Sequence, residues 1–421
     1  MEVLTDTYFP SLQDIHKAAT TIKGISIETP LMRSHTYSRY FESNIFLKRE
    51  DLQIVRSYKI RGAYNKIISL SELEVSNGVV CASAGNHAQG VAFSCKKLKI
   101  KGTIFMPNPT SSQKVAQVKM FGENFVEVIL VGDTFDDAKS EALDYCDKNG
   151  IPFIHPFDDP KIIEGQATIG LEIDRDIDRP IDYLFLPIGG GGVASGVSTV
   201  FRQLSPNTKI IGVEPKGAAA MHLSIQRGQN TELEKLDRFV DGAAVRRVGD
   251  LTFKICKQNL DDIILVDEGK ICEVILDVYN KDAIVLEPAG ALALAALTYC
   301  REKIKGKTVV CLLGGGNNDI TRMEEIKERA MLYNGLKHYF LVRFPQRSGA
   351  LKEFVTDVLG PSDDIAHFEY VKKNSREKGY AVVGIELKKK EDFGPLEERM
   401  KELNFFGDYL NDKESLMDVL V

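Results

Sequence analysis

Between Ile45 and about Asp319 the chain alternates short apolar runs with longer stretches of helical spacing. IFLKRE, VVCAS, TIFMP, VEVILV, PFIHP, YLFLPI, KIIGVEP, IILVDE and TVVCLLG all read as strands. Segments with apolar positions three and four apart lie between most of them, which predicts right-handed βαβ crossovers and parallel sheets. Several runs are apolar throughout, as strands covered on both faces must be. Nine such strands exceed one comfortable sheet, so the pattern predicts two α/β lobes.

From Leu336 the rhythm changes. KHYFLVRF reads as a strand, SGALKEFVTDVL as a helix, DIAHFEYVKK and YAVVGIELKK as strands, EDFGPLEERMKEL as a helix and FGDYL as a short strand. That β-α-β-β-α-β order is the split, ferredoxin-like one. The charged stretch TRMEEIKERAMLYNGLK keeps helical spacing and reads as the connector. The expected division is a larger lobe from residues 1–50 and 155–320, a smaller lobe 51–154, a connector helix 321–335 and a tail domain 336–421. At about 150 residues per domain, 421 residues fit that count.

A net charge of −6 argues against an electrostatic nucleic-acid partner. The most apolar stretch, Ala283 to Leu297, is broken by Glu287, Pro288 and Gly290 and is shorter than the roughly 20 residues of a bilayer span. The start, MEVLTDTYFPSLQD, lacks a charged-then-apolar leader, so the expectation is a cytoplasmic protein without a membrane anchor. Seven scattered cysteines without a CxxC pair read as buried thiols rather than a disulfide framework. The histidines show no HxxxH or HExxH spacing, so no metal is expected.

Three segments have the composition of a reactive site. In Arg56-Ser57-Tyr58-Lys59-Ile60-Arg61, Ser57 is a plausible N-cap and places Lys59 in the first helical turn. There the helix dipole, with Arg56 and Arg61, pushes the lysine pKa down, the direction an amine needs to form a Schiff base. The plain alternative is a solvated lysine on a basic helix. In Ser83-Ala84-Gly85-Asn86-His87, hydroxyl, amides and amide side chain gather at a helix start, a natural carboxylate or phosphate site. The alternative is a capped turn, with His87 packed in the helix. Gly189-Gly190-Gly191-Gly192-Val193 follows a strand and opens a helix, allowing close backbone approach to an anion. No lysine follows at Val197 to make a P-loop, while Gly189, Gly191 and Ala194 with Glu214 leave a weak dinucleotide-binding reading. Glu287-Pro288-Ala289-Gly290-Ala291 and Leu313-Gly314-Gly315-Gly316-Asn317-Asn318-Asp319 complete the set. Glu287 also suits a plain helix cap with Pro288 in the first turn.

Taken in order, SYKIRGAYN, SAGNHAQG, GGGGVASG, EPAGA and LGGGNND resemble the pyridoxal-phosphate enzymes of the tryptophan-synthase-β type. Within that group the chain resembles the threonine dehydratases (threonine ammonia-lyases) in their short biosynthetic form, and the likeness runs over nearly its whole length. The dinucleotide reading explains only one of the five motifs.

The resemblance implies that Lys59 holds pyridoxal 5'-phosphate as a Schiff base and acts, with Ser83, as a catalytic residue. It implies Tyr58 under the ring, Asn86 on the ring hydroxyl, and Gly189, Gly190, Gly191, Gly192 and Val193 around the phosphate. Ser83, Ala84 and Gly85, with Asn86, would hold the substrate carboxylate, while Glu287 and Gly314 would border the ring. The implied reaction begins with removal of the Cα proton by Lys59 and loss of the β-hydroxyl, for which the cofactor phosphate is the expected acid. Threonine would yield 2-oxobutanoate and ammonia, the first committed step of isoleucine biosynthesis.

Two departures stand out. Relatives usually carry Ser at the position of Gly314, where its hydroxyl meets the pyridine nitrogen; water, a backbone group or a neighbouring hydroxyl would have to substitute. Serine racemase-like relatives place an acid six positions after Glu214, where this chain has Ala220, which disfavours a divalent ion. The tail resembles an ACT-like regulatory domain at Phe344-Pro345-Gln346-Arg347-Ser348-Gly349-Ala350-Leu351. That implies isoleucine, and in some cases valine, as effector, and a homo-oligomer (dimer or tetramer). Two other readings remain open: a serine dehydratase, racemase or β-replacement enzyme of the same fold, and an amino-acid-sensing protein with weakened catalysis.

Overall fold

A computed structural model describes residues 8–345, 347–370, 378–413, 416–417 and 420. The first seven residues, Gln346 of the FPQRSGAL turn and residues 371–373 of the expected strand DIAHFEYVKK lie outside the described residues. The chain divides into two units, Met1–Ile320 and Thr321–Val421.

The first unit holds two sheets. Strands β1 (Leu31–Arg33), β2 (Asn44–Arg49), β3 (Val79–Ala82), β4 (Gly102–Met106), β5 (Val126–Leu130), β6 (Tyr183–Pro187), β7 (Lys209–Pro215), β8 (Asp262–Val266) and β9 (Thr308–Leu313) follow in chain order. One sheet runs β1-β2-β9-β6-β7-β8 and the other β3-β4-β5. Every pairing is parallel except β1 with β2. In the larger sheet, Leu184, Leu186, Val310 and Leu312 pack against Val193, Val197 and Phe201 of the helix Gly192–Leu204. In the smaller, Cys81, Ile104 and Met106 face Ala88, Val91 and Cys95 on one side. Val80, Ala82 and Phe105 face Ala138 and Ala142 on the other. Both faces are covered, which is why these strands read as unbroken apolar runs.

Two strand expectations need correction. PFIHP is not a strand: Phe153 makes one isolated bridge to Val80, and the chain then turns away. The bridge is closed by Ile154 N–H on Val80 O at 2.7 Å, and the next amides, those of Phe157 and Asp158, go to the His155 ring. β1 was not foreseen, being three residues long and antiparallel at an edge.

The helices Lys59–Ile68 and Pro160–Asp176 cross where neither has a side chain. A Cβ on Gly165 would lie 2.6 Å from Gly62 Cα and 2.7 Å from Arg61 O. Beside this contact the Arg61 guanidinium is fully buried between two carboxylates. It donates to Glu50 at 2.8 and 2.9 Å, to Glu172 at 2.5 and 2.9 Å, and to Thr168 Oγ1 at 3.1 Å. Lys48 joins Glu172 at 2.6 Å. A buried cluster of this kind stays favourable only while every partner is present.

The second unit is one antiparallel sheet with helices on it. Its strands are β10 (Lys337–Pro345), β11 (Asp364–Tyr370), β12 (Lys378–Glu386) and β13 (Phe406–Tyr409), in the order β11-β12-β10-β13. A helix Ala350–Glu353, continued by a wider turn to Val358, links β10 to β11, and the helix Phe393–Glu402 links β12 to β13. This is the β-α-β-β-α-β order. Alternation sorts the residues: Phe340, Val342, Phe344, Val383 and Ile385 face Phe354, Leu396, Met400 and Phe405. Tyr339 and Val382 point the other way and meet Leu332 of the helix Met323–Tyr333. The expected connector is therefore part of this unit's own second layer.

The glycine crossing makes a test. Gly165→Ala gains up to about 1 kcal/mol of helix propensity, while crowding against backbone that cannot rotate aside costs about 1–3 kcal/mol. Crowding wins, so the urea midpoint should fall. An unchanged or raised midpoint would show that the two helices part freely.

Candidate active site

β2, β9 and β6 run parallel, so their carboxyl ends share one edge of the sheet, and β6 is flanked by β9 on one side and β7 on the other. Connections leave in opposite directions there, and ligands of open α/β sheets bind at such a point. The glycine run follows β6 and the segment Gly314–Asn317 follows β9. The helix of Lys59 comes after β2, and Ser83 comes after β3 of the smaller sheet.

Lys59 begins its helix with Tyr58, not Ser57, at the N-cap. Ser57 Oγ is buried without a partner, so the expected side-chain cap is absent. Lys59 Nζ donates to Pro156 O at 2.9 Å and lies 5.5 Å from the centroid of the Tyr58 ring. Burial lowers its pKa from 10.5 to about 8, and the Glu287 carboxylate pulls in the opposite direction. The direction matches the sequence reading but the cause does not. Arg61 is committed to Glu50 and Glu172, and dehydration of the ammonium does the work.

The glycine run is shaped by what surrounds it. A Cβ on Gly190 would lie 2.2 Å from the Phe157 ring, and one on Gly189 would lie 2.9 Å from Ala243 Cα. Gly191 has φ +95°, which glycine alone adopts without strain. None of the amides from Gly189 to Ala194 donates to another group among the described residues. They form a row of free donors at a helix N-terminus, suited to a phosphate. Thr252 Oγ1 steadies the run by donating to Gly190 O at 2.6 Å.

Asn86, Glu287 and the segment after β9 form the third side. Asn86 Nδ2 donates to Glu287 Oε1 at 2.5 Å, and Asn317 Nδ2 donates to Asn86 Oδ1 at 2.7 Å. Asn317 also donates to Val55 O at 2.9 Å, which ties the segment to the loop before Lys59. Glu287 holds the N-cap position of the helix Pro288–Ala295, but its side chain serves Asn86 rather than the helix. Burial pushes the Glu287 carboxyl up to about 7; Asp241 adds to the rise, and the Asn86 hydrogen bond opposes it. Ser83 Oγ accepts from the Gly85 amide at 3.2 Å, leaving its hydrogen for another acceptor. A Cβ on Gly85 would meet nothing within 4 Å, so the turn Ser83–Gly85 faces open space. His87 is buried on Ile154 O at 2.8 Å and held near pKa 3 by burial, so it packs within the helix.

Gly314 faces Tyr58: a Cβ there would lie 3.2 Å from Tyr58 Cε1. A Cβ on Gly315 points the other way, 2.3 Å from Glu287 Oε1. Ser57 pairs antiparallel with Gly315, which puts its side chain on the Glu287 side.

The sequence reading missed the loop His155–Asp159. Pro156 O receives Lys59, and the Phe157 ring packs against the glycine run. The signal was His-Pro-Phe-Asp-Asp-Pro: Asp159 before Pro160 is a helix start, so an irregular turn must precede it.

These residues fit pyridoxal phosphate. A dehydrated lysine amine, a row of unused amides and the aromatic Tyr58 stand together, as an aldehyde-bearing phosphorylated ring requires. Among the described residues no group of three His, Cys, Asp or Glu is placed to hold a metal ion. Glu214 is spent on the amides of Met221 and His222, both at 2.8 Å. No helix among the described residues is long and apolar enough to cross a membrane.

Comparison with known proteins agrees. The family described as "Pyridoxal-phosphate dependent enzyme" matches residues 22–315, and "C-terminal regulatory domain of Threonine dehydratase" matches residues 328–420. The biosynthetic L-threonine dehydratase of Halalkalibacterium halodurans is 56% identical over 410 residues, covering 97% of this chain and 99% of its own. That of Bacillus subtilis is 53% identical, covering 100% of this chain and 99% of its own. The processed form of threonine deaminase isoform 2 from Solanum lycopersicum superposes with a TM-score of 0.71 at 40% identity, covering 78% of this chain and 97% of its own. Serine racemase from Dictyostelium discoideum gives 0.68 at 32%, covering 74% of this chain and 99% of its own. The chain belongs to the pyridoxal-phosphate-dependent enzymes and, among them, to the biosynthetic L-threonine dehydratases.

Proposed function

We propose that this enzyme deaminates L-threonine to 2-oxobutanoate and ammonia in the cytoplasm, as a homo-oligomer whose tail senses isoleucine or valine. The observation that carries the reaction is the Lys59 amine, dehydrated, lowered to about 8 and held on Pro156 O beside the free amides of the glycine run. A base works best with a pKa near the working pH, and a solvent-exposed lysine near 10.5 does not meet that condition.

When bound, pyridoxal phosphate supplies an electron-withdrawing ring that stabilises negative charge at the substrate Cα. The chain's own groups do the rest. Gly189 to Val193 bind the phosphate through their amides. Tyr58 lines one side, and Asn86, oriented by Glu287 and Asn317, presents its amide on another. Ser83, with its oxygen turned toward the Gly85 amide, offers its hydrogen to the substrate carboxylate, joined by the amide of Ala84 and by that of Gly85 once it turns from Ser83 Oγ to the substrate. Lys59 takes the Cα proton, and Pro156 O accepts from the resulting ammonium.

Threonine over serine is supported by the full-length relatives rather than by a residue of the site, since one methyl group is worth only about 1–3 kcal/mol of pocket contact. The regulatory role of the tail rests on its family match and on its being a separate unit with its own core.

The direct experiment is turnover of threonine and serine, measured as 2-oxo acid and as D-serine, with borohydride fixation of the cofactor and peptide mapping. The label should fall on Lys59, and Lys59→Ala should abolish turnover while still binding cofactor noncovalently. A label elsewhere, or D-serine as main product, sinks the assignment.

Glu287 predicts a pH effect on the cofactor-stripped protein. Its folded-state pKa of about 7 lies above the ordinary 4.5, so the folded state binds this proton more tightly. That stability is fully present below 4.5 and is lost as the pH rises to 7. Relative to Glu287→Gln, wild type should lose up to about 3 kcal/mol over that interval. Parallel urea curves at both ends would show that the carboxyl is not raised.

For the tail, the cut belongs before Thr321, because the helix Met323–Tyr333 packs in the second unit. Residues 1–320 should keep threonine turnover and lose isoleucine inhibition. Full-length enzyme that ignores saturating isoleucine and valine would leave the tail as an assembly module.

A further inference from the structure

Past the bridge that Ile154 N–H closes on Val80 O, the segment from His155 to Asp159 has no sheet partner among the described residues, yet its residues hold the site and its surroundings. His155 Nδ1 accepts two backbone amides, from Phe157 at 3.3 Å and Asp158 at 2.7 Å. Pro156 O receives Lys59 Nζ at 2.9 Å. Phe157 fills the space that side chains on Gly190 and Gly192 would need. Asp158 accepts from the amides of Asp250, Leu251 and Thr252 at 2.9 to 3.1 Å, and Thr252 in turn donates to Gly190 O. Asp159 caps the helix Pro160–Asp176 and pairs with Lys66 at 2.7 Å.

We propose that His155 is a positioning residue for the reacting amine: by accepting two amides at Nδ1 it sets the turn that registers Pro156 O, and with it Lys59, against the glycine run. The inference rests on the reading of Lys59 as the reacting amine. Proline fixes one dihedral at position 156, but the peptides that follow are free to rotate unless their amides are held. Among the described residues no carbonyl accepts from Phe157 or Asp158, and the ring nitrogen does so instead. With Nδ1 accepting, the hydrogen sits on Nε2 and the ring is neutral. Burial and the charge of Lys139 keep it so, with the pKa lowered to about 4. His155 also stands edge-on to Phe157, ring centroids 4.7 Å apart, which fixes the aromatic that shapes the glycine run.

Asparagine two residues before an amide accepts from it as histidine does here. The test therefore compares His155→Ala, His155→Asn and His155→Gln in the holoenzyme. The readouts are kcat and KM for threonine, the visible spectrum of the cofactor, and borohydride labelling of Lys59. His155→Ala should lower kcat by about 100-fold, the cost of a displacement near 1 Å, with KM little changed and the spectrum altered. His155→Asn should recover most of the loss. His155→Gln, one methylene too long to reach the same amides, should not. An alanine variant with wild-type kcat and spectrum overturns the inference. So does asparagine performing no better than glutamine, which decides the matter even if the alanine variant does not fold. A wild-type enzyme unlabelled at Lys59 would instead remove the reading beneath it, whatever the variants do.

Discussion

Two helices touch backbone to backbone at Gly62 and Gly165, and Lys59, the lysine proposed to react, rides on that contact. One helix begins with Lys59; the other is led in by the loop that offers Pro156 O. Because the crossing admits no side chain, a small slide of either helix is resisted by hard repulsion. Arg61 adds direction to that resistance. A guanidinium gripping two carboxylates in a fork is geometrically exacting, and its burial makes any misfit expensive. Such clusters contribute little net stability against an apolar alternative; their effect is on register. Here the register being fixed is that of an amine whose reach is a few ångströms.

The site is also tuned by dehydration. Lys59 falls to about 8 and Glu287 rises to about 7, in each case chiefly through burial. Each charge acts on the other in the opposing sense, so neither group is driven fully neutral. His87 stands beside Asn86 but does not join them. Held near pKa 3 and bonded to Ile154 O, it is neutral and already engaged.

Much of this was legible in the sequence where composition is itself the constraint. Four consecutive glycines imply something that excludes side chains, and Phe157 and Ala243 are what exclude them. The tail was legible because two-residue alternation sorts Phe340 and Val342 from Tyr339. PFIHP misled because a half-buried segment that makes one bridge and then leaves the sheet has the same apolar texture as a strand. Lys59 was read in the right direction from the wrong charges. Sequence proximity put Arg61 near the amine, whereas Glu50 and Glu172, 11 and 111 residues away, take it elsewhere. The pairing of Asn86 with Glu287, 201 residues apart, has no local signature at all.

The same long-range closure recurs where the first unit ends. The chain passes from the first unit to the second once, between Ile320 and Thr321. Three residues before that passage, Asn317 holds both Asn86 and the Val55 carbonyl, and through Asn86 it touches Glu287. An effector acts only by binding two states of the assembly unequally, and those states must differ somewhere that the reacting groups feel. Asn317 orients Asn86 by donating to its Oδ1, and Asn86 Nδ2 in turn is the donor that opposes the rise of the Glu287 carboxyl. The segment after β9 thus binds the loop before Lys59, Asn86 and Glu287 into one network, which is why a residue so late in the first unit bears on groups placed near its start.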